Sequence, residues 1–215
     1  MVRFGIYTDD FRFYYKTIKE LKDWGLPFCS IDDISDIPVD IPVILSSSND
    51  KPMDRFQIRE NLPIRAIRKA LPILAGKKQF SSIIIGMDPG PRPGVAILAD
   101  LIITEASELP DIHEAVIFIK NALNDYNYKF FEIKIGNGDK PNRKKLVSEI
   151  ANLNLEYTIV NERGTSGPHS IHNNALSAAR ITLVDNTKFR KYPDKSGVKR
   201  KNAIESEFRT LKILV

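Results

Sequence analysis

The sequence predicts an α/β protein with two parts, in which a small α/β N-terminal domain precedes a larger domain built on a mixed sheet. Apolar, β-branched runs of strand length alternate with amphipathic helical patterns along the chain. In the larger part three strand-like runs follow one another before the first helical pattern, which gives the order β-β-β-α-β-α-β-α. Strands that follow one another closely indicate an antiparallel meander, whereas helices between the later strands indicate parallel pairing.

Three segments follow from these patterns. Residues 1–78 form the N-terminal domain with a connector, residues 79–184 form the larger domain, and residues 185–215 form a basic C-terminal extension. Within the first segment we predict strands at 2–7, 27–31 and 39–45, and a helix at 11–24 that Gly25 and Pro27 end. Residues 46–52 are typical of a loop, and residues 54–74 are mixed and partly helical.

The first strand is followed by Asp9-Asp10 and then by the helix. This succession superficially resembles the start of a response-regulator receiver. The β-α-β-β piece of some fifty residues is far too short for that domain. We therefore interpret Asp9-Asp10 first as a pair at the N-terminus of the helix, where carboxylates accept hydrogen bonds from free backbone N–H groups.

In the larger domain the predicted strands are 83–88, 95–98, 101–104, 130–135 and 157–160, and the predicted helices are 110–126, 143–153 and 171–181. The last helix is rich in small residues, so we expect it to pack close to the sheet.

The apolar run before Asp88 ends in a loop dense in Pro and Gly, after which a second apolar strand begins. Asp88 has two interpretations. Asp-Pro-Gly is a common turn, so the stretch is typical of a plain β-hairpin. A carboxylate at the end of a buried strand is also a rigid position for a metal ligand or an acid/base group.

Three motifs resemble the RuvC/YqgF branch of the ribonuclease H-like superfamily. Gly86-Met87-Asp88-Pro89-Gly90, with Gly94-Val95-Ala96 after it, is similar to the family's first motif. Residues 159–166 are similar to its Asp-Glu-Arg-x-(Ser/Thr)-(Ser/Thr) motif, with Asn161 where an Asp is usual. Residues 172–179 are similar to its final helix, with Asn174 where the family carries an Asp.

The resemblance covers about residues 83–181 and implies a ribonuclease H-like fold with metal-dependent nuclease activity. It implies that Asp88 and Glu162 hold Mg²⁺ or Mn²⁺, and that Asp139 and Asn174 assist. An asparagine can coordinate Mg²⁺ through its oxygen but removes a negative charge from the site. Asp139 is equally typical of a turn, and Glu162 of a surface pair at the end of a strand.

His169 and His172 are open substitutes for the missing carboxylate, although helix-start residues of this kind are more often structural. We assign phosphate contacts to basic residues in two places: Arg92 and Arg163 in the motifs, and Lys188, Arg190, Lys191, Lys195, Lys199, Arg200 and Lys201 in the C-terminal extension. A net charge of +5 and an isoelectric point of about 9.2 permit a nucleic-acid partner. A solvated tail is the alternative for the extension.

Composition excludes several other classes. A lone Cys29 and three scattered histidines are wrong for a zinc cluster, and the lone cysteine favours a cytoplasmic location. No long apolar run predicts a membrane span, no signal peptide is recognised, and a homodimer is left open. Three functions remain: a RuvC/YqgF-like nuclease acting on structured DNA or RNA, a catalytically inactive nucleic-acid-binding protein on the same fold, and an actin-like or kinase-related phosphotransfer protein.

Overall fold

The computed structural model describes residues 3–161 and 173–184. These residues form two compact units, one comprising residues 3–80 and 124–127, the other residues 81–123, 128–161 and 173–184. Each unit has its own sheet, and the second sheet is mixed, so the predicted α/β class is confirmed. Among the described helices, none has the length and apolar character needed to cross a membrane.

The first unit is a four-stranded parallel sheet with two α-helices. Its elements are β1 (Phe4–Ile6), α1 (Phe11–Asp23), β2 (Phe28–Ser30), a 3₁₀ turn (Ile34–Asp36), β3 (Val43–Ser47), β4 (Gln57–Glu60) and α2 (Pro63–Leu74). The strands lie in the order β2-β1-β3-β4, and every neighbouring pair is parallel. Strand β2 lies on one side of β1, and the chain then crosses to the other side of β1 to form β3. The direction in which strands are added to the sheet therefore reverses between β1 and β3.

Helix α1 forms where the sequence predicts it. The Asp10 carboxylate accepts hydrogen bonds from the backbone N–H groups of Arg12 (2.9 Å) and Phe13 (3.0 Å), so Asp10 is the N-cap, as predicted. Phe13, Thr17 and Leu21 recur every four residues and are buried. The helix ends at Asp23 with Trp24 as its C-cap, after which Gly25 adopts a left-handed conformation with φ of 61°.

Two predictions in the first unit were wrong. The third strand begins at Val43, later than predicted, and Val39 is fully exposed. The strand also continues through Ser46 and Ser47, which the sequence had predicted to lie in a loop. Ser46 and Ser47 are buried, and Ser46 Oγ donates to the Tyr7 carbonyl at 2.6 Å. Strand β4 was missed because its residues are polar and only partly buried, as befits an edge strand, and so show no apolar run.

The second unit contains a five-stranded sheet and three helices. Its elements are β5 (Phe80–Asp88), β6 (Gly94–Ala99), β7 (Ile102–Glu108), α3 (Ile112–Asp125), β8 (Tyr128–Gly136), α4 (Lys140–Asn152), β9 (Thr158–Val160) and α5 (Asn174–Thr182). The sheet order is β7-β6-β5-β8-β9. The first three strands form an antiparallel meander and β8 pairs with β9 in parallel, so the predicted element order and mixed pairing are confirmed.

Helix α5 lies directly on the sheet, as its small residues predict. Ala175, Ala178 and Ala179 are buried. A Cβ atom at Gly86 would overlap the Ala178 carbonyl, and one at Gly94 would overlap the Asn174 carbonyl, so both glycines permit a close approach of backbone to backbone. This packing brings the first turn of α5 to the junction between the end of β5 and the start of β6.

A buried lysine holds the other end of α5. Lys134 on β8 is 4% exposed, and its Nζ donates to the carbonyls of Thr182 (3.0 Å) and Val184 (2.8 Å). Carbonyl groups at the end of a helix lack intrahelical partners, and a cation there also complements the helix dipole. The position of α5 on the sheet is therefore fixed at both ends.

Candidate functional site

Asp88 lies at the end of β5, the middle strand of the second sheet, and its side chain is half-buried. Burial raises the pKa of the Asp88 carboxyl, and the negative charge of Asp139 raises it further, while a hydrogen bond with the Ser177 side chain acts in the opposite direction. A half-buried carboxyl with a raised pKa and a second acid nearby is typical of functional sites.

Asp139 comes from the loop after β8 and is exposed. Its carboxylate is the N-cap of α4, accepting from the backbone N–H of Asn142 (3.1 Å) and from Asn142 Nδ2 (2.8 Å). These hydrogen bonds lower the pKa of Asp139. Asp139 therefore caps α4, a role that neither the turn nor the ligand interpretation included, and its charge also acts on Asp88.

The guanidinium of Arg143 organises the loop that carries Asp139. Arg143 Nη1 donates to the carbonyls of Asn137 (2.7 Å) and Gly138 (3.3 Å), and also to the Asn137 side chain. Since Arg143 lies on the first turn of α4, its hydrogen bonds tie the helix to the loop before it.

Asn174 is the first residue of α5 and contacts the loop that follows Asp88. Its Nδ2 donates to the Arg92 carbonyl at 2.7 Å. An aspartate cannot make this hydrogen bond, because an ionised carboxylate has no proton to donate. The amide at position 174 thus ties the Pro/Gly loop to α5.

The side chain of Arg92 takes no part in this hydrogen bond, which its backbone carbonyl accepts. Its side chain is 68% exposed, and Arg92 Nε forms an ion pair with Glu108 Oε1 at 2.9 Å. The exposed guanidinium has further donors, so this pairing leaves it able to contact a phosphate.

Two carboxylates, Asp88 and Asp139, thus interact electrostatically at this end of the sheet, and the amide of Asn174 contacts the loop that follows Asp88. Within residues 3–161 and 173–184, no group of three or more His, Cys, Asp or Glu side chains is placed to hold a metal ion. Oxygen donors are the ligands that Mg²⁺ and Mn²⁺ prefer, and Mg²⁺ is commonly held by one or two carboxylates while it keeps several waters. The donor set therefore fits such an ion by its chemistry.

Several predicted site residues lie outside the described residues. They are Glu162 and Arg163 of the second motif, the alternatives His169 and His172, and the basic residues Lys188, Arg190, Lys191, Lys195, Lys199, Arg200 and Lys201. The assignments made for them remain predictions from the sequence.

Sequence reasoning missed the role of Ser177, which we had counted only among the small residues of the last helix. Its side chain forms the hydrogen bond with Asp88. The available signal was spacing, since Ser177 is three residues after Asn174 and therefore lies on the same side of the helix.

The first unit has its own group of polar side chains, at the carboxyl ends of β1 and β3. Asp50 accepts from the backbone N–H groups of Asp9 (3.0 Å) and Ser47 (2.6 Å), and Ser47 Oγ donates to Asp10 at 3.2 Å. In open α/β sheets the point at which the winding reverses is the usual place for a ligand. Here the carboxylates of Asp50 and Asp10 are engaged in holding the loops and the start of α1, whereas Asp9 takes part through its backbone N–H.

Comparison with known proteins gives a match for this unit only. A family model described as a response regulator receiver-like domain matches residues 3–74, about a third of the chain. The match extends from β1 through α2, so our argument that the segment is too short for such a domain was wrong. It failed because β4 and α2 belong to the same unit. No curated protein and no solved structure matches the chain significantly.

Proposed function

We propose that the second unit is a ribonuclease H-like domain of RuvC/YqgF type, and that it hydrolyses phosphodiester bonds in structured DNA or RNA with a divalent metal ion. The observation that carries this proposal is the meeting of Asp88, Asp139 and the first turns of α5 at the end of the middle strand. A desolvated carboxyl beside a second anion is an arrangement that a bound cation would relieve.

The strand arrangement supports the same assignment. An antiparallel meander β5-β6-β7, with β8 next to β5 and β9 beyond it, has the order that the resemblance implies for the fold. The motif that carries the resemblance ends β5, and the helix similar to the family's final helix is α5.

In this proposal Asp88 and Asp139 contribute oxygen ligands, and Glu162 supplies the further carboxylate that the second motif implies. A metal ion bound there would activate a water molecule and stabilise the leaving oxygen of the phosphodiester. Ser177 orients the Asp88 carboxylate, and Asn174 fixes the loop beside it. Arg92, Arg163 and the basic stretch at 188–201 would neutralise phosphates. The cytoplasmic location that we also propose is based on Cys29, the free cysteine.

The test is a thermal shift with Mn²⁺ in the wild type, in Asp88→Asn and in the control Asp111→Asn. Asp111 is an exposed carboxylate of the same unit that accepts from the backbone N–H of Glu114, which an asparagine can also do. We expect Mn²⁺ to stabilise the wild type and the control but not Asp88→Asn. Hydrolysis of branched DNA and of structured RNA is then assayed with the same proteins. Equal Mn²⁺ shifts in all three proteins, with no loss of hydrolysis in Asp88→Asn, would contradict the proposal.

Asn174 favours a second candidate, a nucleic-acid-binding protein without hydrolytic activity. Its amide takes the place of the expected carboxylate and is engaged with the Arg92 carbonyl, so the site lacks one negative charge. This candidate predicts binding of nucleic acid that is independent of Mn²⁺, with no cleavage by the wild type.

A further inference from the structure

Helix α4 presents lysines without ion pairs in its first two turns. Lys140, Lys144 and Lys145 are exposed, and no salt bridge joins any of them to another described residue, although the charge of Lys145 acts on Asp139 and helps to lower its pKa. Arg143, in contrast, is engaged with the loop before the helix. The positive charge at this end of the helix adds to that of the helix dipole.

Lys144 and Lys145 line a cleft of about 480 Å³. The cleft is formed by the start of α3 and by α4, and its lining residues are Ile112, His113, Lys144, Lys145, Ser148 and Glu149. The two ammonium groups, the Ser148 hydroxyl and the His113 imidazole can all donate hydrogen bonds to an oxyanion. Glu149, one turn beyond Lys145, is the acidic residue of the lining. The positive charge is therefore concentrated at the end of the cleft nearer Asp139.

The distance from Lys144 and Lys145 to Asp139 suits a nucleic-acid strand. Lys144 and Lys145 are five and six residues beyond Asp139, which corresponds to about 7.5–9 Å along the helix axis. Phosphates of one strand of duplex DNA repeat about every 3.4 Å along the duplex axis. The lysines therefore lie about two to three phosphates from Asp139, whose charge acts on Asp88.

We propose that the cleft between α3 and α4, with Lys140, Lys144 and Lys145, binds the sugar-phosphate backbone of the nucleic acid on one side of the phosphodiester held at Asp88. This inference rests on the proposed function and adds to it a binding surface distinct from the C-terminal basic stretch. Exposed lysines that form no salt bridge are available for contacts with the sugar-phosphate backbone, which depend on salt and not on base sequence.

The test compares the wild type with the double variant Lys144→Gln/Lys145→Gln. The control is Lys16→Gln/Lys19→Gln, which removes the same charge from two exposed lysines of α1. Labelled single-stranded and duplex DNA and RNA are titrated with the full chain in EDTA, and the anisotropy gives Kd. At about 0.1 M salt we expect Kd to rise about tenfold or more in the α4 variant and less than about twofold in the control. The slope of log K against log salt should fall by about two.

Equal Kd values for the two double variants, or an absence of binding by the wild type, would overturn the inference. Hydrolysis is measured separately in Mn²⁺, so the two proposals fail differently. Cleavage with an unchanged KM in the α4 variant would support the nuclease proposal and contradict the role of this surface in binding. Salt-dependent binding that needs Lys144 and Lys145, with no cleavage in Mn²⁺, would support the binding surface and contradict the nuclease proposal.

Discussion

Asp88 and Asp139 are neighbouring carboxylates whose pKa values shift in opposite directions. Burial raises the pKa of Asp88, whereas hydrogen bonds from Asn142 lower that of Asp139. Asp88 therefore destabilises the folded protein when it is ionised, and Asp139 stabilises it. The difference separates a carboxyl that burial destabilises in its ionised form from a carboxylate that caps a helix.

Asp88→Asn is expected to raise the melting temperature at neutral pH in EDTA. A raised pKa means that Asp88 binds a proton more tightly in the folded protein than in the unfolded chain. Ionised Asp88 therefore lowers the free energy of unfolding, and this loss begins as the pH rises above 3.8 and is complete above the pKa of the folded protein. The gain from Asp88→Asn should therefore shrink as the pH is lowered toward 3.8. Circular dichroism melts over this pH range measure it.

Asp139→Ala is the matching comparison. It removes an N-cap and should lower the free energy of unfolding at neutral pH. Because the pKa of Asp139 is lowered, that loss should diminish on acidification below the ordinary aspartate range. If Asp88→Asn and Asp139→Ala change stability in the same direction at neutral pH, the burial argument for Asp88 fails.

Asn174→Asp is expected to destabilise the metal-free protein by about 1–3 kcal/mol, because a carboxylate then faces the Arg92 carbonyl that the amide now contacts. Added Mn²⁺ should recover part of this loss if position 174 faces the metal site, since a third carboxylate strengthens binding of the ion. The control is Asn173→Asp, which adds the same charge at the N-cap, where asparagine and aspartate are equivalent. Unfolding in urea with and without Mn²⁺ measures both effects. Equal stability of the two variants in EDTA would contradict the role assigned to the amide.

At the scale of an element, α5 depends on two glycines of the sheet. Gly94→Ala is expected to destabilise the protein by about 1–3 kcal/mol or more, because the new methyl group would overlap the Asn174 backbone and force α5 outward. Gly90→Ala is the control, since its nearest neighbour, the Arg92 carbonyl, would lie at an ordinary 3.6 Å. Chemical denaturation gives both changes. A small loss in Gly94→Ala, equal to that of Gly90→Ala, would mean that α5 does not rest on β6 as closely as described.

The elements with a strong internal pattern were the ones that the sequence predicted. Helix α1 has an N-cap, an apolar face and a glycine stop, and its predicted bounds differ from those observed by one residue. Strand β5 has an apolar run that ends at a turn. Strand β4 has neither, because an edge strand can be stabilised by backbone pairing without burying its side chains. That pairing depends on the neighbouring strand, so it produces no pattern in the sequence of β4 itself.

For the whole molecule, the sequence identified Asp88, Asp139 and Asn174 as candidates but not what each one contacts. The Pro/Gly density marked the loop, yet the hydrogen bond that holds it joins residues 82 positions apart. Likewise, the sequence predicted a turn or an assisting ligand at Asp139, whereas its capping of α4 and its electrostatic effect on Asp88 were seen only in the structure. Contacts between distant residues are set by packing, which a single sequence does not display.

One such distant contact is expected to dominate the stability of the first unit. Residues 124–127 group with that unit, and the Asp125 carboxylate pairs with Arg65 Nε at 2.8 Å and with Arg68 Nη1 at 3.2 Å, about sixty positions earlier in the chain.

Both Asp125 and Arg68 have side chains that are 5% exposed, so Asp125→Asn leaves a buried guanidinium without its carboxylate. The expected loss is about 3–5 kcal/mol, because removing one partner of a buried ion pair exposes the full desolvation cost of the other. Glu108→Gln is the control, since the Arg92–Glu108 pair is exposed and should be worth about 1 kcal/mol or less. Urea unfolding compares the two variants. A loss in Asp125→Asn no larger than that in Glu108→Gln would mean that residues 124–127 contribute little to the first unit, and that residues 3–80 are stable without them.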